Sequence, residues 1–173
     1  MRSWLAMLAL LAGSLQAAPA CVSEALPQAR LSGQGGFTYF GLAIYDAELW
    51  VGPDGYRPGA ALALELRYAR KLDGRKIAEA SAEQMAQTGA GTRTQRAEWL
   101  GRMAALFPDV REGSRICGVA LADGSSVFYL DDKPLGGVIA APAFTRAFFG
   151  IWLSPASTAG NLRAQLLRDA APR

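Results

Sequence analysis

The chain has 173 residues, about half of them apolar, with 18 basic and 15 acidic side chains, a net charge of +3 and no histidine. That length suits one domain with a real core, and basic residues scattered among acids give no face for nucleic acid. The lack of histidine removes the commonest general base, the Ser-His and Cys-His nucleophile pairs, and the ligand that most zinc and iron sites use.

The N-terminus carries the three parts of a secretory signal: Arg2, the apolar run Trp4 to Ala12, and the small-residue end Ala18-Pro19-Ala20 before Cys21. The expected organisation is a signal peptide over residues 1–20 and a single domain over 21–173. The apolar run is too short to span a bilayer, and no later stretch reaches the roughly 18 uncharged apolar residues of a membrane helix. A periplasmic or secreted protein follows. A cysteine directly after the cleavage site is also the acylation position of lipoproteins, but Ala18 and Pro19 fit that pattern poorly, so plain cleavage is expected.

Two cysteines, Cys21 and Cys117, remain after cleavage. An oxidising compartment favours a disulfide between them, tying the N-terminus to a strand; the alternative is a buried thiol at Cys117 and a free Cys21. Further along, Gly33-x-Gly35-Gly36 reads as a turn, followed by a strand from Phe37 to Val51 rich in aromatic and aliphatic residues. Gly52 to Gly59 is a turn-rich connector. From Ala61 to Lys71 the pattern alternates: Leu62, Leu64, Leu66, Tyr68 and Arg70 share one face, the core face, so Arg70 ends an apolar row.

Asp73-Gly74 begins an amphipathic helix with Ile77, Ala80, Ser81, Gln84, Met85 and Thr88 on one side, ended by Gly89-Ala90-Gly91. A second helix from about Thr94 to Phe107 buries Trp99, Leu100, Met103 and Leu106, and Pro108 stops it. Ser114 to Leu121 and Ser126 to Tyr129 flank Asp123-Gly124, a strong hairpin signal. A short strand runs through Gly136 to Ala140. Phe144, Phe148, Ile151 and Trp152 then fall at helical spacing, and Ser157 or Thr158 caps a last helix carrying Leu162, Leu166 and Leu167. Strands, helical hairpin, strand hairpin and helices in this order predict an α+β domain: a mainly antiparallel sheet covered on one face by a helical layer.

Signals for cofactor chemistry are missing. Neither cysteine belongs to a Cys-x-x-Cys pair, and the glycine run precedes a strand rather than a helix, so it lacks the helix N-terminus of a dinucleotide site. Asp131-Asp132 and Asp46 with Glu48 are the close acidic sets; they read as a solvated loop and a strand edge, too few for an oxygen-ligated metal. No metal, cofactor or nucleic-acid partner is expected.

Four segments carry a family resemblance: Ile44-Tyr45-Asp46-Ala47-Glu48-Leu49-Trp50; the run from Leu64-Glu65-Leu66 through Tyr68, Arg70 and Gly74 to Ile77-Ala78-Glu79; Phe107-Pro108-Asp109-Val110; and Phe148 to Pro155 continuing to Leu162-Arg163. In order and spacing they resemble the chalcone isomerase-like family, in particular its exported bacterial branch. The resemblance implies an open-faced β-sandwich with a ligand cleft between sheet and helices. Plant enzymes of the family close a chalcone into a flavanone, and other members bind fatty acids with an arginine and a tyrosine on the carboxylate. The arginine after the family's glycine pair corresponds to Phe37 here, the catalytic threonine to Phe40, and the helix tyrosine and asparagine to Ile77 and Gln84. Cyclisation needs positioned donors on the developing enolate, which Phe and Ile do not supply.

The expected function is therefore an exported, non-catalytic member holding a small apolar or amphipathic, fatty-acid-like ligand. The rivals are an isomerase or lyase on another substrate, and an interaction module with a filled cleft. Arg70 is the leading ligand residue, because guanidinium grips carboxylate in a two-point fork. The commoner fate of such an arginine is pairing with a structural acid, here Glu79, or snorkelling to water. Tyr68, Tyr45 and Gln84 are second candidates, each more readily read as core with a satisfied polar tip.

Overall fold

The computed structural model describes residues 17–172. The Arg2 and Trp4 to Ala12 parts of the expected signal lie outside the described residues. Within them, α1 spans Ala20–Ala25, and six strands follow: β1 Arg30–Tyr39, β2 Leu42–Val51, β3 Leu62–Tyr68, β4 Arg115–Ala120, β5 Ser126–Leu130 and β6 Lys133–Ile139. They form one sheet in sequence order with every neighbouring pair antiparallel. Helices α2 Gly74–Gln87 and α3 Arg93–Leu106 sit between β3 and β4; α4 Pro142–Leu153 and α5 Gly160–Leu166 close the chain.

The start of the sheet differs from the sequence expectation. The stretch expected as one strand from Phe37 is a hairpin, with Phe40 and Gly41 at its tip at φ of 47° and 75°. Two successive positive φ angles give a tight turn whose twist suits antiparallel strands. The glycines expected as a turn lie inside β1. A Cβ at Gly33 would strike the backbone of Gln165 and Leu166, and one at Gly35 the Gln165 side chain. These positions are glycine because α5 lies directly on β1, where Ser32 Oγ also donates to the Leu166 carbonyl at 2.9 Å.

Helix starts follow local chemistry. The Asp73 carboxylate accepts from the N–H groups of Arg75 and Lys76, and Thr92 with Gln95 forms a reciprocal capping box. The segment after α3 returns to the start of α2: Gly74 N–H donates to Asp109 Oδ1 at 2.9 Å, and Leu72 pairs with Val110. The last helix starts from Ala159 with no side-chain cap, instead of one from Ser157 or Thr158; Ser157 Oγ donates to the Ile151 carbonyl at 2.7 Å.

The two faces of the sheet have separate cores. Toward the helices, Leu49, Leu64, Leu66, Ile116 and Phe128 meet Met85, Met103 and the α4 side chains. Phe148 is the hub of an aromatic cluster, with ring centroids 5.0 Å from Phe128, 5.9 Å from Phe144 and 5.4 Å from Trp152. Gly118 leaves room for it, since a Cβ there would press on Phe128 and Phe149. On the other face, Trp50, Ala63, Cys117 and Val119 lie under α1 with Cys21, Val22 and Leu26. The expected Cys21–Cys117 disulfide is present, with Cα atoms 6.6 Å apart.

Candidate functional site

The helix-facing side of β2 and β3 changes character toward the Tyr68 end. Register places Tyr45 opposite Tyr68, and the rings meet edge to face with centroids 6.0 Å apart. Phe37 of β1 stacks on Tyr45 at 5.2 Å. Trp152 of α4 donates its indole N–H to Tyr45 Oη at 3.0 Å, which leaves the phenol its own proton to donate. Burial pushes the Tyr45 phenol up to about 12 against the opposing effect of the Trp152 hydrogen bond, and burial also raises Tyr68, with the neighbouring Tyr45 adding to it. Both stay phenols at neutral pH. They can donate hydrogen bonds but cannot serve as bases.

Tyr68 is 4% exposed, and no hydrogen bond to its hydroxyl occurs among the described residues. Among the described residues the fully buried side-chain polar atoms without a partner are Arg30 Nε, Ser126 Oγ and Thr145 Oγ1; the Tyr68 hydroxyl is not one of them and keeps contact with solvent at the edge of the layer. Two residues on, Arg70 is half-buried. The strand ends at Tyr68 and the chain bends through Ala69 and Arg70, yet Ala69 N–H still donates to the Ile44 carbonyl at 2.9 Å. No carboxylate lies within 4.0 Å of the Arg70 guanidinium among the described residues. Glu79, the acid that could have neutralised it, is taken by Arg75 at 3.1 Å. The fold thus brings Tyr45 and Tyr68 together at one end of the apolar layer, with Arg70 in the bend two residues past Tyr68.

Gln84 stands apart from this group. Its Oε1 accepts from Thr158 in the loop between α4 and α5. Of the positions aligned with the family's catalytic groups, Phe37 and Ile77 are half-buried and packed against the core, while Phe40 is 88% exposed at the hairpin tip. These three offer no donor or acceptor side chain, and of the aligned positions Gln84 keeps a polar one.

Sequence reasoning passed over a second polar group on the opposite face. Glu65 alternates away from the helices, where a solvated carboxylate would be expected, yet it is 7% exposed because α1 and the disulfide cover that face. Register puts it beside Cys117 and Glu48, and Arg115 approaches it at 3.8 Å while holding Asp132 at 2.6 Å. Burial first, with Glu48 and Asp132 adding, raises the Glu65 carboxyl to about 6 although Arg115 opposes the shift. The group borders a hollow of about 530 Å³ lined also by Gln34, Asp46, Arg67 and Pro19. A smaller hollow of about 280 Å³ lies between α3 and α4 over Trp99. The one signal for Glu65 in the sequence was the cysteine pair, since a bridge from Cys21 to Cys117 must lay the N-terminal segment over that face.

Among the described residues no helix is long and apolar enough to cross a membrane. The chain matches the model of the family described as chalcone isomerase-like over residues 47–168. It is 33% identical over 106 residues to an uncharacterized protein of Haemophilus influenzae, a match covering 61% of this chain and 51% of that protein, about half of the relative's length. The crystal structure of an Arabidopsis thaliana fatty-acid binding protein is similar with a TM-score of 0.68 at 14% identity, covering 83% of this chain and 89% of that one. At that identity the likeness concerns the fold, an antiparallel sheet with a helical layer. The four sequence segments, the strand order and the family match agree, and the chain belongs to the chalcone isomerase-like family.

Proposed function

We propose that this chain is a non-catalytic, exported binding protein for a small amphipathic ligand carrying a carboxylate, of the fatty-acid type. The observation that carries this reading is a pair of donors without a partner among the described residues, the Tyr68 hydroxyl at the solvent edge of the apolar layer and the half-buried Arg70 guanidinium two residues beyond it. A carboxylate satisfies both, taking two N–H groups from the arginine and one O–H from the tyrosine. Tyr45 adds a third donor beside them, and Gln84 a more distant polar edge. The fatty-acid binding protein of the same fold supports the choice of ligand class. The aromatic cluster around Phe148 fills the centre of the sheet–helix layer, so the apolar tail lies along the half-buried Phe37, Tyr45 and Ile77.

Catalysis is disfavoured by the same groups. Two phenols held protonated and a permanently charged arginine provide no base, and the positions aligned with the family's catalytic residues are mostly apolar. Chalcone turnover is expected to stay at background. Export with cleavage before Cys21 accords with the signal-like N-terminus and the disulfide. Intact mass is expected to match residues 21–173 without a lipid. The test of binding is organic extraction of the purified protein followed by mass spectrometry. A carboxylate lipid recovered from the protein and reduced in Arg70→Gln supports the reading; an empty extract, with no change of melting temperature on adding fatty acids, contradicts it.

A second reading follows from the filled centre: an interaction module whose packed layer serves stability alone. It predicts that Arg70→Gln and Tyr68→Phe change neither ligand recovery nor thermal response to fatty acids.

A further inference from the structure

The β1–β2 hairpin ends in a tip that the core does not use. Tyr39 is 61% exposed, Phe40 88% and Leu42 52%, and the Tyr39 and Phe40 rings pack edge to face at 4.5 Å, so the aromatic surface is ordered rather than splayed. Phe40 holds this position at a φ of 47°, a region that bulky residues rarely adopt and that Asn or Gly would occupy with less strain. An exposed aromatic at a strained turn stabilises nothing inside the molecule. No charged residue occurs between Arg30 and Asp46, so the whole tip is apolar or neutral.

Charge gathers at the hairpin's base. Ala69 N–H bonds the Ile44 carbonyl, which places Arg70 and Lys71 directly beside the strand leading to the tip, and Arg67 pairs in register with Asp46 on the same ladder. Arg67, Arg70 and Lys71 have no carboxylate within 4.0 Å among the described residues. Asp46, Glu48 and Glu65 border the same hollow as Arg67, so the positive surplus beside the strand leading to the tip rests on Arg70 and Lys71. Aromatic residues ahead of unpaired basic ones are the arrangement that settles into an anionic lipid surface, rings at the headgroup level and cations at the phosphates.

We propose that the β1–β2 hairpin docks the protein on an anionic lipid bilayer, with Tyr39, Phe40 and Leu42 entering the interface and Arg67, Arg70 and Lys71 meeting the headgroups. The surface shares Arg70 with the proposed ligand site, so its test uses Phe40, Arg67 and Lys71, which that site does not use.

The full chain carrying Phe40→Trp, mixed with phosphatidylglycerol vesicles containing brominated acyl chains, reads the tip directly through the difference in emission from the unsubstituted protein. The expected result is quenching and a blue shift of the introduced indole, both much weaker on phosphatidylcholine. Arg67→Gln and Lys71→Gln should each weaken partitioning roughly fivefold at low salt. Phe40→Asn should weaken it roughly tenfold while leaving the melting temperature unchanged or higher, because asparagine tolerates the positive φ. No quenching on phosphatidylglycerol vesicles overturns the proposal. So does equal quenching on both lipids, or a tip that instead joins two copies, seen as a dimer in sedimentation that Phe40→Asn abolishes.

Discussion

The two faces of one sheet carry polar groups in opposite conditions. On the outer face, the buried Glu65 has Arg115 at 3.8 Å, Arg115 has Asp132 at 2.6 Å, and a disulfide pins α1 over the set. On the inner face Tyr68, and in the bend beyond it Arg70, have neither a hydrogen-bond acceptor nor a carboxylate among the described residues. The outer cluster sets one arginine against two carboxylates under the segment that the disulfide ties down; the inner donors have no partner within the described residues. Burial alone did not separate these cases, since Glu65 and Tyr68 are equally hidden. Pairing did.

That comparison can be broken at several points. The largest effect is expected from Cys117→Ser, or from reduction: the bridge spans 96 residues, and loss of a loop of that size costs about 4 to 5 kcal/mol in the chain-entropy treatment. Chemical denaturation measures it, and the inner site should keep its ligand below the new midpoint. Phe148→Ala removes the hub of the aromatic cluster and should destabilise by about 3 to 4 kcal/mol. A loss below about 1 kcal/mol would mean that the centre is loosely packed and open to a ligand tail.

Smaller effects sharpen the contrast. Arg70→Gln should lower affinity for a fatty acid by roughly 10- to 100-fold, the range for losing charge-assisted hydrogen bonds, while stability moves by no more than about 0.5 kcal/mol. Tyr68→Phe should behave alike, with stability within about 0.5 kcal/mol, because the hydroxyl it removes touches solvent and makes no hydrogen bond among the described residues. Glu65 gives a pH signature. Its carboxyl titrates near 6 in the folded chain against 4.5 as the ordinary value, so between these the folded state binds more protons, and stability falls as pH rises through that window, then levels off. The drop should be of order 1 kcal/mol once screening from the open hollow is allowed for, and Glu65→Gln should abolish it.

Much of the fold was legible because local chemistry and packing agreed. Asp73 capped its helix where expected, Asp123-Gly124 turned the β4–β5 hairpin, and alternation along β3 put Leu62, Leu64, Leu66 and Tyr68 on the core face. The β1–β2 turn was hidden because a Phe-Gly pair is not a usual turn signal, and the glycines of β1 answer to α5, far along the chain, rather than to a local bend. Six residues of α1 are too few to show a period. At the site, parity named Tyr68 and Arg70 together, but whether Glu79 would neutralise the arginine depended on its pairing with Arg75. The Trp152 bond to Tyr45 joins residues 107 positions apart, a distance over which no spacing rule operates.

The most direct test of the central claim is calorimetric titration of the protein and of Arg70→Gln with one long-chain fatty acid and with its methyl ester. The expected result is binding of the acid by the unsubstituted protein, with affinity at least roughly tenfold lower for the ester and for the variant. Equal affinity for acid and ester, no effect of the substitution, or no binding of the acid at all would contradict a carboxylate site at Tyr68 and Arg70.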